Sequence, residues 1–206
     1  MSLEAIDSSV SILGHAAQIV QAGYHGFIRY VSPVTSTWPT KQLTSAEISE
    51  IKNIQGTKIG LCYEYEPKDQ DYGVQLAYFT QDQAVRDANR ALGVCSALGV
   101  PSSVPVFFGV DWDFVLTDIN GSVLDYFTTV HSEFDGADRL VGIYGSGASC
   151  RILKTAGVVH YTWMAYAPSW LENNSYQDAD IVQGDSINVV GFDVDPDEVA
   201  NTDVLW

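Results

Sequence analysis

Residues 104–110 (VPVFFGV) form a nearly unbroken apolar run. A strand with one wet face alternates apolar and polar residues. A run like this one is expected where both faces of the strand are covered, as in parallel sheets flanked by helices. The flanking segments fit. Ala84, Ala88, Ala91, Leu92, Cys95 and Leu98 share one helical face. Thr80-Gln-Asp-Gln83 opens that helix as a capping box, and Gly99 and Pro101 stop it. Further strand-like runs lie at 5–8, 26–31, 57–65, 140–144, 161–165, 181–183 and 189–193, with helical spacing over 11–22, 118–134 and 147–156. A second capping box, Thr44-Ser-Ala-Glu47, opens a helix to about Asn53. Eight strands alternating with helices predict an α/β fold, a (β/α)8 TIM-like barrel formed by residues 1–206 as a single domain. Such barrels typically need ~250 residues. This chain has 206, and 168–188 lacks a helical pattern, so reduced helices are expected in the C-terminal part. A doubly wound sheet is disfavoured, because no G-x-G-x-x-G and no P-loop follows a strand.

Acids stand where the strand-like runs end: Asp7, Glu64, Asp111 with Asp113, and Asp193 with Asp195. A parallel barrel gathers the C-terminal ends of its strands at one mouth, and carboxylates collected in a cleft are the apparatus of sugar-bond cleavage. Asp111 and Asp113 alternate along an extended chain and so share a side, with Trp112 opposite. Burial and like-charge repulsion would keep one carboxyl of such a pair protonated beside an ionised partner. Asp7 has a competing reading as the cap of the first helix. Asp193 is the preferred site residue of its group; Asp195 and Asp197, next to Pro196, read as solvated or turn-forming. Arg29 interrupts an apolar strand and needs a partner, for which a mouth acid is the candidate. Tyr144, Trp163 and Gln183 are candidate substrate-binding residues, with Tyr166 and Trp170 near Trp163 in sequence.

Composition removes several function classes. Acids outnumber Lys and Arg by 26 to 10, a net charge of −16 that argues against nucleic acid and anionic membrane surfaces and suits a neutral or cationic ligand. No stretch approaches the ~20 apolar residues of a membrane span. The N-terminus shows no basic region followed by an apolar one, so no signal peptide is seen; the site of action is left unknown, with the cell wall or the extracellular space as candidates. Cys62, Cys95 and Cys150 form no C-x-x-C pair, and Cys62 and Cys95 read as core residues. The four histidines lack zinc spacing, DVDPDE lacks the glycine and final glutamate of a calcium loop, and no G-x-S-x-G elbow is present. Neither metal nor cofactor is expected, and the chain is expected to act as a monomer on a glycan.

The ordered set of segments carries a resemblance. Ile6-Asp7, GFIRY at 26–30, KQLTSAEI at 41–48, Tyr63-Glu64, AVRDANRALGVCSALGVP at 84–101, PVFFGVDWDF at 105–114, VGIYGS at 141–146, TWMAYA at 162–167, Gln183 and Phe192-Asp193 span nearly the whole chain. In this order they resemble a glycoside hydrolase-like domain of unknown function (DUF1906 type), related to the GH25 lysozymes, which cleave peptidoglycan on a (β/α)8-like barrel. The resemblance implies a glycoside hydrolase acting on a cell-wall-type, peptidoglycan-like glycan. Carried over by position, Asp7 matches the lysozymes' first Asp, Asp111 and Asp113 match an Asp-x-Glu pair, and Asp193 matches the last Asp. Asp113 departs from that pattern, standing one methylene short where the presumed acid is a glutamate. Glu64 is the only long carboxylate among the strand-end acids. On this reading Asp113 or Glu64 protonates the leaving oxygen, while Asp7, Asp111 and Asp193 stabilise charge, orient water or position a substrate amide. The rival is a non-catalytic glycan-binding barrel. A metal-dependent phosphodiesterase is disfavoured by the scarcity of basic residues.

Overall fold

In the computed structural model, which describes residues 2–35, 39–64 and 71–206, seven strands follow one another side by side and parallel. They are β1 (Leu3–Asp7), β2 (Gly26–Tyr30), β3 (Lys58–Tyr63), β4 (Val106–Gly109), β5 (Val141–Gly145), β6 (Tyr161–Met164) and β7 (Ile181–Gln183). Then the direction changes. Strand β9 (Phe192–Val199) runs antiparallel to both β7 and β1 and closes an eight-stranded barrel. Strand β8 (Ile187–Val189) pairs with β9 as a hairpin. The predicted barrel is therefore present with its closing strand reversed. Tyr65, placed by the sequence pattern in the third strand, lies outside the described residues.

Among the described residues the α-helices are confined to the chain before β6, the longest being Gln81–Ala97 and Leu124–Asp135. They are α1 (Ala16–Gln21), α2 (Ser45–Lys52), α3 (Tyr72–Tyr78), α4 (Gln81–Ala97), α5 (Leu116–Asp118), α6 (Leu124–Asp135, joined to α5 by a π-type turn) and α7 (Gly147–Thr155). After β6 the described residues hold no α-helix, only a 3-10 turn at Thr202–Val204. Thr44 and Glu47 form a complete capping box on α2. On α4 only half of the expected box forms: Thr80 accepts from the Gln83 N–H, but the Gln83 side chain turns to Tyr78 and Asp87. None of the helices is long and apolar enough to cross a membrane, among the described residues.

Strand alternation sorts the core into two layers. Ala5, Ile28, Cys62, Phe107, Trp163, Ile181 and Val199 fill the barrel, and Val204 and Leu205 pack with them. The C-terminal segment is fastened to the start of β3 by paired backbone bonds between Ile59 and Trp206. Outward-facing Ile6, Phe27, Ile59, Leu61, Val106, Phe108, Val141 and Ile143 meet the helices. Each large apolar side chain buried this way contributes about 1.5–3 kcal/mol. Both faces of β2 and β4 are thus covered, which explains the unbroken apolar run of β4. Gly142 has a steric role inside the barrel, since a Cβ there would lie 2.5 Å from the Phe107 ring. All three cysteines are buried free thiols.

Candidate functional site

The inward positions just above the apolar filling are polar. Two residues beyond Ala5 stands Asp7; beyond Ile28, Tyr30; beyond Cys62, Glu64; beyond Ile181, Gln183. The fourth strand contributes Asp111 and the fifth Tyr144. On reversed β9 the count runs the other way: Val199 and Asp197 lie deep, and Asp195 sits opposite Asp7 at the mouth. Together Asp7, Tyr30, Cys62, Glu64, Asp111, Tyr144, Trp163, Gln183 and Asp195 line a polar cavity of about 130 Å³.

Gln183 organises the floor. Its Nε2 donates to Asp7 Oδ2 at 2.9 Å and to Asp195 Oδ2 at 3.3 Å. Its Oε1 accepts from the Tyr144 hydroxyl and the Tyr166 N–H, both at 3.0 Å. Tyr30 donates to Asp7 Oδ1 at 3.2 Å. Glu64 is held at the rim. Its N–H donates to Ser32 Oγ at 2.8 Å, and its Oε2 accepts from Lys41 Nζ at 2.6 Å. A Cβ at Gly109 would come within 3.3 Å of Glu64 Cγ, so the glycine makes room for this side chain over β4.

The acids sit close enough to compete for protons. Burial, then the charge of Asp195, pushes Asp7 up to about 7, against the hydrogen bond from Gln183. Asp111 is raised too, first by desolvation, with Lys41 opposing. Asp195 is raised by burial, against a hydrogen bond from Ser186. Below them Asp197 is fully buried and raised well above the carboxylate range, by burial and then by Asp7. Its Oδ1 accepts from Trp163 Nε1 at 2.8 Å, while its Oδ2 has no hydrogen-bond partner among the described residues. A neutral carboxylic acid is the form such a position favours.

Several expected placements differ. Asp193 is exposed and accepts from Asn188 Nδ2 at 2.9 Å within the β8–β9 hairpin. It shares a face with Asp195 but lies beyond the rim, because β9 enters the barrel at this end instead of leaving it. For the same reason Asp197 is an interior residue, not a solvated one. Asp113 does not line the cavity. Strand β4 ends at Gly109, the chain turns at Trp112–Phe114, and Asp113 Oδ1 accepts from the Leu171 N–H at 2.8 Å. Arg29 faces outward, between inward Ile28 and Tyr30, and so cannot meet the mouth acids. It pairs with Glu47 Oε1 at 3.1 Å and donates to the Ser8 and Thr40 carbonyls. Trp163 reaches the cavity but is 1% exposed, so it presents no open stacking face; Tyr144 packs across it at 4.7 Å. The N-cap position of the first helix is His15, which makes no side-chain cap bond, so Asp7 is not the cap and lines the cavity instead. Asp195, read from the sequence as solvated or turn-forming, lines the cavity, and Tyr30 and Lys41 were not singled out. Tyr30 was readable from its two-residue spacing after Ile28, whereas Lys41 sits in a turn with no periodicity to mark it. Among the described residues no group of three or more His, Cys, Asp or Glu side chains is arranged to hold a metal ion.

The fold is a closed α/β barrel with carboxylates gathered at one mouth. The chain belongs to the Rv2525c-like, glycoside hydrolase-like domain family, whose model matches residues 17–199. It is similar to the protein YbfG of Bacillus subtilis (strain 168), 29% identical over 115 residues, which is 52% of this chain and 16% of YbfG. The chain thus spans a small part of that relative's length. Among solved structures it is similar to the Tat-secreted protein Rv2525c of Mycobacterium tuberculosis in complex with HEPES, with a TM-score of 0.82 and 22% identity, covering 96% of this chain and 95% of that one. It is also similar to the modular autolysin LytC of Streptococcus pneumoniae in complex with a synthetic peptidoglycan ligand, with a TM-score of 0.64 and 16% identity, covering 96% of this chain and 46% of LytC. At these identities the two structural likenesses concern the fold.

Proposed function

We propose that this chain is a glycoside hydrolase that cleaves a cell-wall-type, peptidoglycan-like glycan by carboxylate acid/base chemistry. The observation that carries the reading is the convergence of Asp7, Glu64, Asp111 and Asp195, from four separate strands and their ends, on one cavity. The cavity of about 130 Å³ is smaller than the ~300–1,000 Å³ typical of ligand pockets. A sugar ring therefore lies across the mouth, and only a substituent or an attacking water enters. Asp111, exposed at the rim and raised above the ordinary carboxylate range, is the proton donor to the leaving oxygen. Glu64 and Asp195 supply negative charge for the oxocarbenium-like transition state. Asp7 and Gln183 orient what enters the cavity. Action at the cell wall or outside the cell suits a family whose structural neighbours include a Tat-secreted protein and an autolysin.

One observation favours a second reading, a glycan-binding barrel without turnover: Asp113, at the position implied for the lysozyme acid, is engaged by Leu171. Release of reducing ends from peptidoglycan and chitin-type oligomers separates the two. The hydrolase reading expects release by the wild type and a loss of about 100-fold or more in Asp111→Asn, since a general acid contributes ~10²–10⁴-fold. Binding of the same oligomers with no release, unchanged by Asp111→Asn, would overturn it.

A further inference from the structure

We propose that Lys41 is a positioning residue of the mouth, a buried ammonium group built into the rim to hold Glu64 as a carboxylate and to fix its direction beside Asp111. The assignment of roles rests on the hydrolase reading above; the ionisation claim stands without it. Lysine is almost never fully buried unless paired, because its long stem lets the ammonium reach water. Lys41 is 3% exposed. The chain on both sides of it is clamped. Arg29 Nη2 donates to the Thr40 carbonyl at 3.1 Å, Gln42 bridges Tyr30 in parallel, and the Leu43 N–H donates to the Tyr30 carbonyl at 2.8 Å. Arg29, which cannot face the cavity itself, thereby helps to fix the turn that delivers a cation to it.

The ammonium lies 2.6 Å from Glu64 Oε2 and 4.5 Å from the centre of the Tyr30 ring. Glu64 is thus gripped by Ser32 at its backbone and Lys41 at its carboxylate, over the space left by Gly109. Among the described residues, the groups that the Lys41 charge reaches include Glu64 and Cys62 at β3, Tyr30 from β2 and Asp111 beyond β4. Its attraction opposes the upward shifts of Asp111 and Cys62. In a mouth crowded with acids, this ion pair favours the carboxylate form of Glu64. With Glu64 so paired, the raised carboxyls Asp111 and Asp7 are the ones placed to carry a proton.

Carboxyl-detected NMR titration of Glu64 in the whole protein tests this without needing turnover. In Lys41→Met the Glu64 midpoint rises by about one to three pH units, the range for losing an adjacent opposite charge, and in Lys41→Arg it stays low. Where Lys41→Met does not fold, Lys41→Gln serves for the same comparison. An unchanged Glu64 midpoint in the uncharged variants, or an equal rise in Lys41→Arg, overturns the proposal. With turnover, the acid limb of the kcat profile moves up in parallel in Lys41→Met and is rescued in Lys41→Arg. A shifted Glu64 in a protein that cleaves no glycan upholds the role of Lys41 and rejects the hydrolase reading, so the two failures are distinct.

Discussion

Two regions gather carboxylates, and they do so in opposite ways. Under the helices, Asp87 of α4 is completely buried and accepts from Tyr63 at 2.7 Å, Tyr126 at 2.9 Å, Gln83 at 2.8 Å and the hydroxyl of Tyr78. These neighbours are all donors, and Arg90 Nη1 lies 3.9 Å away, so one side chain ties β3, α3, α4 and α6 together. Inside the barrel mouth, Asp7, Asp111, Asp195 and Asp197 are each raised by desolvation, and Asp7 and Asp197 also by the acids beside them. A carboxylate surrounded by hydroxyl and amide donors holds structure. Carboxylates set against one another hold protons, and that is the property acid/base chemistry uses.

The sharpest way to break the comparison is to remove the structural acid. Asp87→Ala leaves the phenols and an amide without their acceptor, each at about 1–3 kcal/mol, so a loss of about 5 kcal/mol in urea unfolding is expected. The second test concerns Asp7. Its carboxyl, raised to about 7 on folding from 3.8, contributes stability that is complete below pH 4 and lost as the pH rises through 7. That corresponds to about 4 kcal/mol from this group. Unfolding free energies at pH 4 and pH 8 should show Asp7→Asn gaining on the wild type by about this amount; a pH-independent difference would contradict the shift. Third, Tyr126→Phe removes a single donor from Asp87 and should cost about 1.5 kcal/mol without altering glycan turnover. Smallest is Asp193→Asn on the exposed hairpin, expected within about 0.5 kcal/mol of the wild type in stability and unchanged in activity, whereas Asp195→Asn lowers turnover at least tenfold.

Asp193 and Asp195 also mark the limit of what was legible in the sequence. The barrel could be read because β1 to β6 alternate with helices and β4 is apolar on both faces. The acids of β1, β3 and β4 could be read because each ends a forward strand. Reversal of β9 is set by tertiary closure, not by any local pattern, so counting from the wrong end exchanged Asp195 for Asp193 and left Asp197 outside. Asp113 was misplaced because the two-residue alternation stops at Gly109, before the acid pair is reached. Helix α3 was missed because YGVQLAY has no charged face to set off an apolar stripe. Lys41 is placed by Arg29 and Tyr30, both distant enough in sequence that only the fold brings them to its turn.

The central claim is that the acid-lined cavity at the barrel mouth is where glycan binds. Amide and side-chain shift mapping with soluble peptidoglycan fragments tests it most directly, and does so whether or not cleavage follows. The account predicts that perturbations centre on Asp7, Glu64, Asp111, Tyr144, Gln183 and Asp195 and leave the Asp87 cluster unmoved. Perturbations confined to other surfaces, with the mouth silent at saturating fragment, would contradict it.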